Sequence, residues 1–180
     1  MAQLRRTAHV AKAGNDKGLE MTTYYLLHQS PVGELLLISD GEALTALHMI
    51  AGKYVPSVKT DWVLDEKLAV LKQTRRELDE YFGGKRRAFS ISLAPSGTEF
   101  QKQAWIALTQ IPFGEKRSYG QQAAIIGRRK AARAIGAANA KNPIGIIVPC
   151  HRVIGADGTL TGYAGGLQNK EFLLKLEGIV

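Results

Sequence analysis

Between residues 22 and 50 short apolar runs alternate with turn residues. Thr22-Thr23-Tyr24-Tyr25-Leu26-Leu27 is rich in β-forming side chains. Ser30-Pro31-Val32-Gly33 signals a turn, Glu34 to Ser39 reads as a second strand, and Asp40-Gly41 as a hairpin turn before a third strand from Ala43 to Ile50. These three segments predict a small antiparallel meander. Asp65 to Phe82 then follows a helical period, with Leu68, Leu71, Leu78 and Phe82 on one face and Gly83-Gly84 at its end. Phe89, Ile91 and Leu93 alternate with Ser90 and Ser92, as in a half-buried strand.

After the linker-like Pro95-Ser96-Gly97 the period becomes helical. Thr98-Glu99-Phe100-Gln101 is a capping box, and Phe100, Ala104, Leu108 and Ile111 fall on one face, with Trp105 as core. Ser118-Tyr119-Gly120-Gln121 is a second capping box, opening a short helix to about Ile126. Gly127 ends it, and Arg129-Lys130 is read as the start of another helix to about Asn139. Two short helices around a glycine-bearing turn predict a helix-turn-helix. Ala131, Ala132, Ala134, Gly136, Ala137 and Ala138 leave the second helix almost without bulk, with Arg133 its one long outward side chain. Small residues suit either close helix packing or a slim helix in a DNA groove. Ile144 to Val148 reads as a buried strand or extended segment stopped by Pro149. A last helix spans residues 167–177, with Phe172, Leu173 and Leu176 inward and Glu177 at its end.

The fold class expected is α+β. A flexible tail (1–20) precedes an antiparallel-sheet-plus-helix domain (21–94), followed by a mainly α, helix-turn-helix domain (95–180). The chain of 180 residues is long enough for a substantial core. Its net charge of +8 is unevenly placed: residues 21–95 carry nine basic and nine acidic side chains, residues 96–180 eleven and five. That basic half has the electrostatic footprint of a nucleic-acid binder, or merely of a basic surface. No apolar run approaches the roughly 20 residues needed to cross a bilayer. The first 20 residues lack the apolar stretch of a secretory signal. One cysteine excludes an internal disulfide and a multi-cysteine zinc site, and suits a reducing cytoplasm. His28 and His48 lack neighbours at metal-ligand spacing and read as strand residues.

The single cysteine sits in Pro149-Cys150-His151-Arg152-Val153. A lone cysteine after an apolar run is usually a small core hydrophobe. A neighbouring base and positive charge, however, are what activate a thiol, and both flank this one. Pro149 to Val153, followed by Gly162-Tyr163-Ala164-Gly165-Gly166, resembles the O6-alkylguanine-DNA alkyltransferases. The resemblance continues upstream through Ser118-Tyr119-Gly120, Lys130 to Gly136 and Asn142-Pro143. It covers the second half of the chain strongly and the rest from about residue 22 in outline.

That resemblance implies a ribonuclease-H-like first domain and a winged-helix-like second one. It implies direct DNA repair, with an alkyl group passing from guanine O6 irreversibly to Cys150, and leaves thymine O4 open as a second source. His151 would be the base acting through a bridging water, Glu177 its carboxylate partner, and Asn142 the brace of the turn. Tyr119 would donate to the guanine ring. The carbonyls of Cys150 and Val153, with the loop Tyr163, Ala164 and Gly165, would hold the base, and Gly145 would line the alkyl pocket. Arg133 would fill the gap left by an extruded nucleotide. Ser118, Arg129, Lys130, Ala132 and Gly136 would form the surrounding DNA surface. Double-stranded DNA bearing alkylated guanine is the implied partner of a cytoplasmic, nucleoid-associated monomer with no cofactor. Zinc-bearing members use cysteines in the first domain, and none is present here. Two rivals stand beside this reading: a cysteine hydrolase built on Cys150, His151 and Glu177, and a non-enzymatic binder of alkylated DNA.

Overall fold

The computed structural model describes residues 22–180 and the backbone of Gln3 and Leu4. The flexible tail expected for residues 1–20 otherwise lies outside the described residues. Within it Gln3–Leu4 forms a strand, β1, because edge pairing uses backbone groups and needs no side-chain period. The first domain continues with β2 (Tyr24–His28), β3 (Leu35–Ser39), β4 (Leu44–Met49), β5 (Val63–Leu64), helix α1 (Ala69–Phe82) and β6 (Ser92–Leu93). Their order in the sheet is β1-β6-β4-β3-β2-β5, with β2, β3 and β4 forming the expected antiparallel meander.

Alternation decides which side of the sheet does what. Leu35, Leu37, Leu26 and Leu47 face the main core with Leu71, Leu78 and Tyr81 of α1. Leu36, Ile38 and Ala46 point the other way, beneath Tyr25, Val55 and Trp62. The central strand is therefore covered on both faces, which is why Leu35 to Ile38 is an unbroken apolar run. The helix expected from Asp65 begins only at Ala69. Asp65 instead accepts from the Lys67 and Leu68 backbone amides, at 2.8 and 3.0 Å, and holds a turn there.

The second domain comprises α2 (Glu99–Thr109), β7 (Arg117–Ser118), α3 (Tyr119–Ile125), α4 (Ala132–Ala140), a 3-10 turn (Cys150–Arg152), β8 (Val153–Ile154) and α5 (Leu167–Leu176). Both capping boxes form: Thr98 with Gln101, and Ser118 with Gln121. Arg129 and Lys130 do not start α4. Gly127 takes φ +73°, Ala131 N–H closes a turn onto Arg128 C=O, and helix begins at Ala132. Residues 144–148 are not a strand either. Ile144 makes a single parallel bridge to Leu47, and the chain then coils through tight turns with Ile146 at φ +67°. Ile144, Ile146, Ile147 and Val148 are all buried, and burial on every side leaves a short apolar run without a readable period. In α5 the inward face is Lys170, Leu173, Leu174 and Glu177 at i, i+3, i+4 and i+7, so Phe172 is exposed rather than inward.

A buried amide pair ties the helix-turn-helix together. Gln122 and Asn139 exchange hydrogen bonds of 3.1 and 2.7 Å, Gln122 also donates to Ala104 C=O, and Trp105 Nε1 donates to Ala138 C=O. Gln122→Ala leaves Asn139 and a carbonyl without their partner. It is expected to destabilise the protein by about 1–3 kcal/mol in denaturant titration.

Candidate active site

The segment before the thiol is held by Asn142. Its Oδ1 accepts from Ile144 N–H at 3.1 Å, while Nδ2 donates to Val148 C=O at 2.8 Å and lies 3.2 Å from Cys150 Sγ. The sheet of the first domain braces the same segment: Leu47 N–H donates to Pro143 C=O and Gly145 N–H to Leu47 C=O. Cys150 thus opens the 3-10 turn almost fully buried, 9% exposed. Burial raises its thiol pKa, against the opposing Asn142 hydrogen bond and Lys170 charge, so at neutral pH the sulfur holds its proton until a base removes it.

His151 follows in the same turn. Its Nε2 lies 2.8 Å from Glu177 Oε1, and both side chains are fully buried. Glu177 also accepts from Arg152, through Nε to Oε2 at 2.7 Å and Nη2 to Oε1 at 2.9 Å, and from the Tyr81 hydroxyl at 2.7 Å. Burial pushes the Glu177 carboxyl up, but the hydrogen bonds and charges of His151 and Arg152 outweigh it and hold the pKa at about 2. An ionised carboxylate only accepts, so the proton of His151 resides on Nε2. Burial also lowers the His151 pKa, with Arg152 and Lys170 acting in the same direction against Glu177, so the imidazole is neutral. Nδ1 therefore carries a lone pair, and it meets no protein partner.

Gly145, Tyr163, Ala164 and Gly165 line one cavity with Cys150 and Asn142. The opposite wall comes from the first domain, from Leu47 to Met49 and from Gly52-Lys53. The Lys53 amide donates to Ala164 C=O at 2.8 Å, and Asn169 Nδ2 donates to Gly165 C=O at 2.9 Å. A Cβ at Gly165 would collide with Met49 and the Tyr163 ring, and one at Gly52 would lie 2.9 Å from Ala164 O. Two expected residues stand differently from the rest. Tyr119 is outside this lining, its hydroxyl donating to Thr161 C=O at 3.1 Å. Val153 is buried, and its carbonyl already accepts from Lys170 Nζ at 2.6 Å, as that of Cys150 does from Val153 N–H. A carbonyl has a second lone pair, so both remain capable of taking another donor.

Arg133, Ala134 and Ala137 are exposed on α4, while Ile135 and Ala138 pack inward with Ala104 and Ala123. The small residues therefore serve both faces of the helix. Ala132 and Gly136 are half-buried, Ser118 caps α3, and Arg129 and Lys130 are exposed in the connecting turn. Arg152, expected as the positive charge flanking the thiol, binds Glu177 instead. Sequence reasoning left three participants out: Lys170, Tyr81 and the 47–53 wall carried no signal. Lys170 is fully buried, with Nζ bonded to the carbonyls of Val153 and Thr161, and burial lowers its pKa to about 8. His28 sits 2.9 Å from Asp79, and the described residues hold no group of three side chains able to bind a metal.

A helix-turn-helix domain carrying a buried cysteine beside a carboxylate-held histidine, backed by a sheet domain, defines a DNA-directed protein with a nucleophilic thiol. Residues 23–95 match the ribonuclease-like domain of 6-O-methylguanine DNA methyltransferase, and residues 99–179 match its DNA-binding domain. The chain belongs to this methyltransferase family. It is 53% identical over 155 residues to the methylated-DNA–protein-cysteine methyltransferase of Methanosarcina acetivorans, covering 86% of this chain and 98% of that one. Identity to the protein of the same name from Haemophilus influenzae is 46%, covering 87% of each. The Mycobacterium tuberculosis OGT crystallised in complex with DNA superposes with a TM-score of 0.80 at 46% identity, covering 86% of this chain and 92% of that one.

The folded Glu177 carboxyl titrates below its ordinary value of 4.5, so its contribution to stability is complete above about 4.5 and is lost as pH falls toward about 2. Melting temperatures followed down this range are expected to fall more steeply for the wild type than for Glu177→Gln, which should be less stable at neutral pH. A second expectation concerns the cavity. Gly145→Pro would delete the amide that bonds Leu47, so Gly145→Ala is the cleaner probe, its Cβ meeting Leu47 O at an ordinary 3.5 Å. Gly145→Ala is expected to change the rate ratio between methyl and benzyl guanine substrates, measured side by side, while the fold survives.

Proposed function

We propose that this chain repairs double-stranded DNA by moving an alkyl group from guanine O6 to Cys150, once per molecule. The observation that carries the reading is one arrangement: the sole cysteine, in a cavity, beside a neutral histidine whose other nitrogen is held by an ionised buried carboxylate. Family membership and the DNA complex of a relative support it.

His151 Nδ1 takes the thiol proton through a water, and Glu177 offsets the positive charge that develops on the ring. The thiolate then attacks the alkyl carbon. An S–C bond forms, the C–O6 bond breaks, and its electron pair goes to guanine, which takes up a proton. Tyr119 eases that departure by exchanging Thr161 C=O for the guanine ring. The resulting thioether is a poor leaving group and no second cysteine exists to accept the alkyl group, so each molecule acts once.

The O6 atom of a stacked base is out of reach, so the nucleotide is extruded into the cavity. Arg133, exposed on the slim α4, takes its place in the stack. Arg129, Lys130 and the cap at Ser118 sit where a DNA backbone would run beside α3 and α4, and Ala132 and Gly136 allow close approach. The protein acts as a monomer on this reading and follows DNA in the cell. Among the described residues no helix is long and apolar enough to cross a membrane.

Intact-mass measurement with peptide mapping after excess alkylated duplex is expected to show one alkyl group, on Cys150, and none on Cys150→Ser. Product beyond one equivalent would instead fit a turning-over hydrolase; binding without transfer would fit a non-enzymatic reader. Arg133→Ala should slow reaction with duplex DNA far more than with the free alkylated base. The affinity of the wild type for unrelated duplexes should fall steeply as salt rises.

A further inference from the structure

We propose that Tyr81 is a positioning residue of the acceptor site, delivered across the domain boundary: its hydroxyl holds and aims the Glu177 carboxylate, so that His151 presents Nδ1 to the thiol. The inference rests on the alkyl-transfer reading above and extends it into a domain in which that reading assigns no chemistry.

Tyr81 lies near the end of α1 and is 1% exposed. Phe82 and Phe89 pack against its ring at centroid distances of 5.4 Å, and Phe113 of the second domain at 6.3 Å. The hydroxyl therefore has one direction available, and it meets Glu177 Oε1 at 2.7 Å across 96 positions of chain. Oε1 takes three donors in all, from His151, Arg152 and Tyr81, while Oε2 takes Arg152 Nε. Oε1, with two lone pairs, is thus shared among three donors, while Oε2 keeps one site open. Burial and the neighbouring Glu177 charge push the Tyr81 phenol far above its ordinary pKa, so it stays a donor.

The consequence is electrostatic as well as steric. Each donor on Oε1 spreads the negative charge and weakens the pull of that oxygen on the imidazole proton. Tyr81 thereby sets how strongly Glu177 favours the charged form of His151. The other charged or titratable groups facing the pair are Arg152 in the 3-10 turn, Lys170 on α5, and Cys150 and Tyr163 beside the cavity. A phenylalanine would keep the aromatic packing and delete only the hydrogen bond.

The test is single-turnover methyl transfer from a duplex, measured across pH with DNA affinity in parallel. Tyr81→Phe is expected to slow transfer by about tenfold, the scale of one hydrogen bond to a charged group. It should move the acid limb of the rate profile to higher pH and leave duplex affinity unchanged. Ring-difluorinated tyrosine at position 81, a stronger donor of nearly the same shape, should move that limb to lower pH. This second substitution also serves if Tyr81→Phe fails to fold. Thr74→Ala, which removes a buried hydrogen bond to Val70 C=O elsewhere on α1, should lower the melting temperature and leave the acid limb in place. An unmoved acid limb with Tyr81→Phe or with the fluorinated residue would overturn the proposal. So would a shift of the same size with Thr74→Ala. Failure of the wild type to load Cys150 would instead overturn the transfer reading itself.

Discussion

The carboxylate of Glu177 is the constraint on which both domains depend. Its side chain is fully buried, and a carboxylate removed from water is tolerated only where fixed donors replace its hydration. Here the donors are three residues: the histidine and arginine of the 3-10 turn, and a tyrosine of the first domain. The same four bonds close the last helix onto the thiol-bearing turn and both onto α1. Removing one partner from a buried ion pair typically costs about 3–5 kcal/mol. A single charge therefore couples the histidine tautomer, the position of the cysteine and the seam between domains.

The thiol gains from a site that does not favour its anion. Burial keeps the sulfur protonated, and so unreactive toward small oxidants and electrophiles, until a substrate is in place. What the site supplies is geometry. Asn142 bonds the backbone on both sides of the irregular 144–148 segment and reaches the sulfur itself. The left-handed Ile146 lets that segment turn tightly enough to bring Gly145 and Cys150 to one cavity. The far wall belongs to β4 and the residues just after it, so the sheet domain shapes the pocket as well as supporting it.

The slim helix resolves two demands that the composition alone could not separate. Ala138 and Ile135 let α4 approach α2 and α3 closely, where the Gln122–Asn139 amide pair fixes their register. Ala134 and Ala137 leave the outer face bare around Arg133. Tight packing and a low outer profile are two faces of one helix, and basic residues in the preceding turn add charge without adding bulk to it.

Local signals determined a great deal. Period-two and period-3.6 patterns located the meander, α1 and the two-helix motif, because half-buried elements must alternate or repeat. Thr98 and Ser118 marked helix starts to the residue, since a capping box is a local bargain between four positions. The cysteine motif carried enough identity to link Cys150, His151, Asn142 and Glu177 in one mechanism through their family resemblance, and the structure pairs Asn142 with Cys150 and His151 with Glu177. The buried stretch 144–148 was illegible because it is enclosed on every side and no period records its shape, while the inward face of α5 was misread because it carries the polar Lys170 and Glu177 beside Leu173 and Leu174. Tertiary structure alone decided that Lys170 is buried, that Arg152 holds Glu177, that Leu47 to Lys53 form a pocket wall and that Tyr81 reaches the relay. Each of these depends on contacts between residues far apart in the chain, and such contacts leave no local pattern because their partners are chosen by packing.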